Sequence, residues 1–346
     1  MNSMYKVCVR SYTYNHAQYI EDAMNGFVMQ KTDFPFVSAI VDDASTDNEA
    51  QVILDYFNKN FDTNDSSLAF REEADYGTVM FARHKANLNC YFAVVLLKEN
   101  HRSRRLSKLP YIRRWINDVP FVALCEGDDY WTDPFKLQTQ VDFLERHKEY
   151  SLCCHRYRIY NQNTDTWDDD YVKRIFDSHP EGFSFTRSDN LKTWITKTMT
   201  LVYRKDRYHP EEMTKYRLRC DEHLNYHLLS HGLGYCFPFV GAVYRRTDSG
   251  VFAPLPERTK RMRGVLIRSE LLSNNLEDND LREDVFSRIK KYLNKDCSLK
   301  GMMKPIGICL KSFYLTEGLM SSLRVAKKFL ASFLKGAHAK HRVKVS

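Results

Sequence analysis

Glycine and proline are scarce in this chain of 346 residues, 13 and 10 of them, which excludes collagen-like and linker-dominated architectures. No apolar run approaches the roughly 18 residues that a membrane-spanning helix needs, so a soluble or peripheral protein is expected. The amino terminus, MNSMYKVCVRSYTYNH, lacks the apolar core of a signal peptide. The nine cysteines are odd in number and dispersed except for Cys153-Cys154, with no CxxC pair and no Cys/His cluster at zinc-site spacing. Reduced thiols in a cytoplasmic setting are therefore expected. A charge of one sign is also missing from most of the chain. Residues 301–346 carry nine Lys/Arg against Glu317 alone, which accounts for the whole net charge of +8 and leaves residues 1–300 balanced at 43 against 43. A globally basic nucleic-acid binder is a poor description, and no nucleic-acid partner is expected.

What is present is a globular composition: 43% hydrophobic and 28% charged residues, with 21 Tyr and 21 Phe. The order of patterns implies an α/β fold. Tyr5–Val9 reads as a strand, Asn15 as a helix cap, and Ile20, Ala23, Met24, Phe27 and Val28 recur at helical spacing. Phe36–Val41 reads as a buried strand running into Asp42-Asp43, followed by a helix from about Asn48 to Phe57. This βαβα order implies a parallel sheet with right-handed crossovers. Residues 58–90 are weakly patterned and read as an excursion outside the sheet. Tyr91–Leu97 and Phe121–Cys125 resume the buried strands, the second ending in Glu126-Gly127-Asp128-Asp129. Thr132-Asp133-Pro134 then opens a helix, with Pro134 at its first position. Later strands are expected at 150–159, 200–203 and 235–244.

Carboxylates that follow buried parallel strands point to chemistry, because ligands of open α/β sheets bind at the carboxyl ends of the strands. Asp42-Asp43 and Glu126-Gly127-Asp128-Asp129 should converge there. Clustered carboxylates repel unless a cation, a proton or hydrogen-bond donors compensate. Hard oxygen ligands of this kind suit Mg²⁺ or Mn²⁺ shared with substrate phosphates.

Three stretches, Cys8–His16, Val41–Asp47 and Glu126–Gln138 (EGDDYWTDPFKLQ), together resemble the inverting glycosyltransferases of family 2. The resemblance covers roughly residues 4–255. It implies a GT-A-like open, mostly parallel twisted sheet flanked by helices, spanning residues 1–255. A basic helical extension, residues 256–346, would follow. It also implies transfer of a sugar from a nucleotide-sugar donor, a UDP-sugar, to a glycan or lipid-linked acceptor hydroxyl with Mn²⁺ or Mg²⁺.

By position, the resemblance gives Tyr12, Thr13, Tyr14 and Asn15 the walls of the nucleotide base and Asp43 a hydrogen bond from it. Asn100 falls near the nucleotide. Asp128 and Asp129 form the DxD-type motif, with Asp129 as the chief metal ligand and Asp128 beside it, and Glu126 reaches ribose or metal. Trp131, beside this motif, fits stacking on a sugar face or the commoner place of an aromatic in the core. The basic stretch from Arg102 to Lys108 stands where relatives have a short glycine-containing loop. Asp221, with Gly232 and Tyr244-Arg245, keeps the register of the general base, and Glu222 is the fallback. Spacing alone leaves Asp221 open as base or helix cap; the resemblance favours base. Where many relatives have His-Ser-Gly after Tyr-Arg, this chain has Arg246-Thr247-Asp248-Ser249-Gly250.

Two other classes fit parts of the pattern. A sugar-nucleotide pyrophosphorylase would be expected to carry a Gly-rich phosphate loop after the first strand, and none is present. A non-catalytic glycan- or membrane-binding scaffold of the same fold is the other. In the tail, Leu319, Leu323, Ala326, Leu330, Phe333 and Leu334 recur at helical spacing among Arg324, Lys327, Lys328 and Lys335. Residues 317–346 therefore fit either a helix on an anionic membrane surface, at the inner face, or one packed on the catalytic domain.

Overall fold

The structure is a computed structural model and describes residues 4–217, 219–247, 255–296, 298–299 and 301–345, with side chains described as far as residue 335. In chain order the first strands are β1 (Val7–Thr13), β2 (Phe36–Asp42), β3 (Phe70–Ala74), β4 (Gly77–Arg83), β5 (Cys90–Leu97) and β6 (Phe121–Leu124). They are followed by β7 (Tyr130–Trp131), β8 (Tyr150–Asn161), β9 (Thr166–Asp169), β10 (Phe183–Phe185), β11 (Val202–Arg204) and β12 (Leu233–Arg246). The sheet order is β10-β12-β8-β11-β6-β1-β2-β5-β4-β3, with β7 on β12 and β9 on β8.

Its centre, β6-β1-β2-β5, is parallel. All seven residues of β2 are buried, as a strand covered on both faces requires. The helices α1 (Ile20–Val28), α2 (Glu49–Asn60), α3 (Leu109–Ile116) and α4 (Lys136–Arg146) accompany this sheet. Phe27 stacks edge-on against Phe92 of β5 and Trp131, anchoring α1 to the core. The α/β architecture expected from the sequence is therefore present.

Two local expectations are corrected. Residues 58–90 contribute β3 and β4, which extend the sheet antiparallel beyond β5. The segment Val79–Ala82 is buried, but the exposed β3 beside it dilutes the pattern. The helix α4 starts at Lys136, so Pro134 lies in the turn before it, where Asp133 accepts a hydrogen bond from the Phe135 N–H at 2.7 Å.

The chain divides into two compact units. The sheet unit comprises Met1–Thr186, Trp194–Tyr208 and Leu228–Arg246. The second comprises Arg187–Thr193, His209–His227 and Thr247–Ser346. It contains α5 (Arg187–Lys192), α6 (Pro210–Met213), the opening of α7 (Asp221–Ser230), α8 (Glu257–Asn274), α9 (Asn279–Asp296), α10 (Met303–Glu317) and α11 (Leu319–Val345). Its core includes Val265, Leu272, Val285, Ile289, Phe313 and Phe329. A bidentate ion pair, Arg261 to Asp296 at 2.9 and 3.0 Å, ties α8 to α9. Among the described residues no helix is long and apolar enough to cross a membrane.

Candidate active site

Register brings the acidic segments to one edge. Thr13, at the end of β1, stands opposite Asp42 at the end of β2, and β6 runs parallel to β1 on its other side. The chain leaving β6 follows the end of β1, with the Cys125 N–H on the Arg10 carbonyl at 3.3 Å. Gly127 seats this turn. A Cβ there would lie 2.1 Å from Thr13 Oγ1 and 3.0 Å from Ile20 Cδ1. Thr13 cannot yield, because it is buried, donates to Glu49 and lies 3.2 Å from His16 Nδ1. Gly127→Ala is therefore expected to destabilise the protein by roughly 1–3 kcal/mol through overpacking. A thermal melt measures this, and adding Thr13→Ala should recover part of the loss.

The turn presents three carboxylates. Asp129 is 4% exposed, Asp128 is half-buried and Glu126 is exposed. The Arg245 backbone N–H donates to Asp129 Oδ1 at 2.8 Å, and the Arg245 guanidinium reaches the Asp128 carbonyl at 3.1 Å and Asp22 at 2.6 Å. Burial first, then the neighbouring Asp128 charge, pushes the Asp129 carboxyl well above the usual carboxylate range. Lys197 opposes this only in part. His16 Nε2 lies 3.7 Å from Asp128 Oδ2. A buried carboxylate beside a second one, with little cationic compensation, is a place where a divalent cation would be favoured.

The β2 edge is differently occupied. Asp42 holds Ser45, and Ser45 donates to Glu49 at 2.7 Å. Burial, partly offset by the Ser45 hydrogen bonds, lifts the Asp42 carboxyl to about 6. Asn15 is not a helix cap, since α1 begins at Ile20. Its φ of 57° turns the chain, and its Oδ1 accepts the Thr46 N–H at 2.7 Å, clamping the two loops together. Tyr12 is half-buried beneath the Arg10 guanidinium at 5.3 Å, and Tyr14 is exposed.

Asp43 is 1% exposed and already holds three donors. It accepts the N–H groups of His101 at 2.7 Å and Arg102 at 3.1 Å, and Lys108 Nζ at 2.8 Å. Asn100 Nδ2 donates to the Asp43 carbonyl at 2.9 Å. Asp43 thus anchors the Asn100–Lys108 segment, and a nucleotide base could reach it only if that segment gave way.

Trp131 offers no open face to a sugar, contrary to the stacking expectation. It is 2% exposed, its Nε1–H donates to the Met199 carbonyl at 2.7 Å, and Lys136 Nζ lies over its ring at 4.2 Å. Lys136 is itself fully buried and donates to Gln140 at 2.7 Å; burial lowers its pKa to about 7. The unfolded chain binds this proton up to about pH 10.5, whereas the folded chain releases it near 7. Stability should therefore rise with pH between those values, by at most about 1.4 kcal/mol per unit. Denaturant titrations of the wild type and Lys136→Met across pH 6–10 should show this slope in the difference between the two proteins.

Asp221 and Glu222, adjacent in sequence, face different surroundings. Asp221 opens α7, is exposed, and accepts the Glu222 backbone N–H at 3.0 Å. Glu222 is ion-paired to Arg268 of α8 at 2.6 Å, and Arg268 lies 3.8 Å from Asp284. Burial raises the Glu222 carboxyl, and Arg268 opposes the shift. His223 lies 3.3 Å from Glu270, and Tyr226 donates to Asp278 at 2.6 Å. Within the second unit, then, the buried face of α7 is held by α8 and the start of α9, while Asp221 is left free for solvent. Asp248, the residue substituted near the usual His, lies outside the described residues, as do Ser249 and Gly250.

Sequence reading missed Lys108 as the partner of Asp43, Glu49 as the brace of Thr13, and Arg245 as the donor to Asp129. Only the basic run from Arg102 carried a signal for the first. The other two depend on separations of 36 and 116 residues that only the fold closes.

No protein-family model matches the chain. Uncharacterized protein Rv1520 of Mycobacterium tuberculosis is 28% identical over 295 residues, covering 83% of this chain and 73% of that protein. Uncharacterized protein Mb1547 of Mycobacterium bovis matches to the same extent. The crystal structure of S. aureus TarS 1–349 with UDP-GlcNAc aligns with a TM-score of 0.56 at 16% identity, over 97% of this chain and 92% of that one. The same protein with UDP aligns at 0.54 and 15% identity, over 97% and 91%. At such identity the likeness establishes a shared fold.

Proposed function

We propose that this chain is an inverting glycosyltransferase of family 2, which moves a sugar from a nucleotide-sugar donor to the hydroxyl of a glycan or lipid-linked acceptor. The observation that carries the reading is the turn after β6, where Gly127 seats Glu126, Asp128 and a buried, reluctantly ionised Asp129 at the carboxyl edge of a parallel sheet. Solved complexes of TarS hold UDP and UDP-GlcNAc on the same fold, which supports a UDP-sugar as donor.

The oxygen donors fit Mn²⁺ or Mg²⁺, with Asp129 and Asp128 as the residues that would hold it. Bound there, the ion would supply Lewis-acid stabilisation of the departing diphosphate. Glu126 remains as a ribose or metal ligand. Tyr12, Thr13, Tyr14, Asn15 and Asn100 would line the nucleotide. Asp221, exposed at the start of its helix, would take the proton of the acceptor hydroxyl, and a single displacement inverts the anomeric carbon. Glu222 is committed to Arg268 and would serve to hold the helix instead.

Calorimetric titration of the full chain with UDP, GDP and dTDP, with and without Mn²⁺, tests this reading. UDP should bind more tightly with Mn²⁺, and Asp129→Ala should remove that gain. Metal-indifferent UDP binding that survives Asp129→Ala would refute the metal site.

A further inference from the structure

Helix α11 carries two apolar faces. One packs inward, where Val325 and Phe329 are 3% and 4% exposed. The other is formed by Leu319, Leu323, Leu330 and Leu334, which are 48–59% exposed. At 3.6 residues per turn, spacings of four, seven and four place these leucines in one stripe, on the side of the helix away from Val325 and Phe329. Met320 borders the stripe at 64% exposure, and Tyr314 and Leu315, at the end of α10, add an apolar corner at 54% each. Singly exposed apolar side chains are ordinary on a soluble protein, but a contiguous stripe marks a contact surface.

Charge identifies what covers it. Arg324, Lys327 and Lys335 are exposed towards one flank of the stripe, while Lys328, also exposed, sits with its Nζ 5.6 Å from the Phe286 ring of α9. Residues 318–346 hold seven Lys/Arg and no Asp or Glu. Pairing with the same stripe of a second copy would bring these cations together without a counter-charge, in either orientation. A bilayer of anionic lipid satisfies both features, taking the leucines among its acyl chains and the cations among its headgroups.

We infer that the α10–α11 corner and the outer face of α11 dock on an anionic membrane surface. The helix lies in the plane of the interface, with the stem of Lys327 reaching to the headgroups. The surface is separate in sequence from every residue assigned to donor or acceptor chemistry, so docking and sugar transfer can fail independently.

Co-sedimentation of the full chain with phosphatidylcholine vesicles, with and without phosphatidylglycerol, tests the inference. The protein should bind the anionic vesicles, at least roughly tenfold more weakly when Arg324→Glu and Lys327→Glu are combined. Leu323→Asp with Leu330→Asp should weaken binding to a similar extent without lowering the melting temperature, since both side chains already meet solvent. Donor turnover in solution should be unchanged in both variants. Failure to bind anionic vesicles would overturn the inference, as would equal binding to both vesicle types. Leucine variants that dissociate a dimer but still bind vesicles normally would also overturn it, assigning the stripe to a second copy.

Discussion

Asp221→Asn should lower sugar transfer by roughly 10²–10⁴-fold, the usual worth of a positioned general base, while UDP affinity stays within about twofold. The substitution is mild for the fold. Asp221 is exposed at the first position of α7, and Asn retains an oxygen for the Glu222 N–H. An acidic residue is favoured at a helix amino terminus, so losing the charge costs some helix stability, about 0.3–1 kcal/mol. That cost is too small to mimic a catalytic loss. Glu222→Gln should do the opposite. It takes from Arg268, 3% exposed, its 2.6 Å carboxylate and leaves Asp284 at 3.8 Å, so the melting temperature should fall, because weakening a buried ion pair is costly. Transfer kinetics beside melting curves separate the two. Unchanged transfer by Asp221→Asn would remove it as the base.

Asp129→Asn should abolish metal-dependent transfer and yet make the metal-free protein more stable at neutral pH. Burial and the Asp128 charge raise the folded-state pKa of Asp129, so the folded chain holds its proton to higher pH than the unfolded chain. Stability contributed by the protonated form is present below the ordinary carboxylate pKa and is lost as pH rises toward the raised value. Asn cannot ionise and keeps the acceptor for the Arg245 N–H, so it removes this cost. The melting temperature of the variant should exceed that of the wild type at pH 7–8, with the gap narrowing in acid. Such an exchange of stability for activity is common where function needs a strained or charged group. A variant that is less stable at every pH would show that the carboxylate charge is compensated within the protein.

The parts of this molecule legible in sequence are those specified by local pattern. The largely apolar β2, the turn signals at Asp42-Asp43 and Glu126–Asp129, and the helix opening at Asp221 each declare themselves over a few residues. What could not be read depends on distant partners. β4 reads as part of an excursion because the exposed β3 beside it dilutes its short buried run. Asn15 has the chemistry of a helix cap but clamps Thr46 across a gap of 31 residues. Trp131 stands beside the acidic turn in sequence, yet the short β7 pairs with β12 and turns the ring into the core. Residues 209–227 group with helices that begin 30 residues later, because Glu222, His223 and Tyr226 find their partners there.

Donor hydrolysis is the most direct test of the central claim, that the acidic edge turns over a nucleotide sugar. UDP-, GDP- and dTDP-sugars would be incubated with the full chain, with and without Mn²⁺, and free nucleotide diphosphate measured. Slow, Mn²⁺-stimulated release of UDP from a UDP-sugar is expected, lost in Asp129→Ala. Absence of release from every donor tested, or release that Asp129→Ala leaves intact, would contradict it.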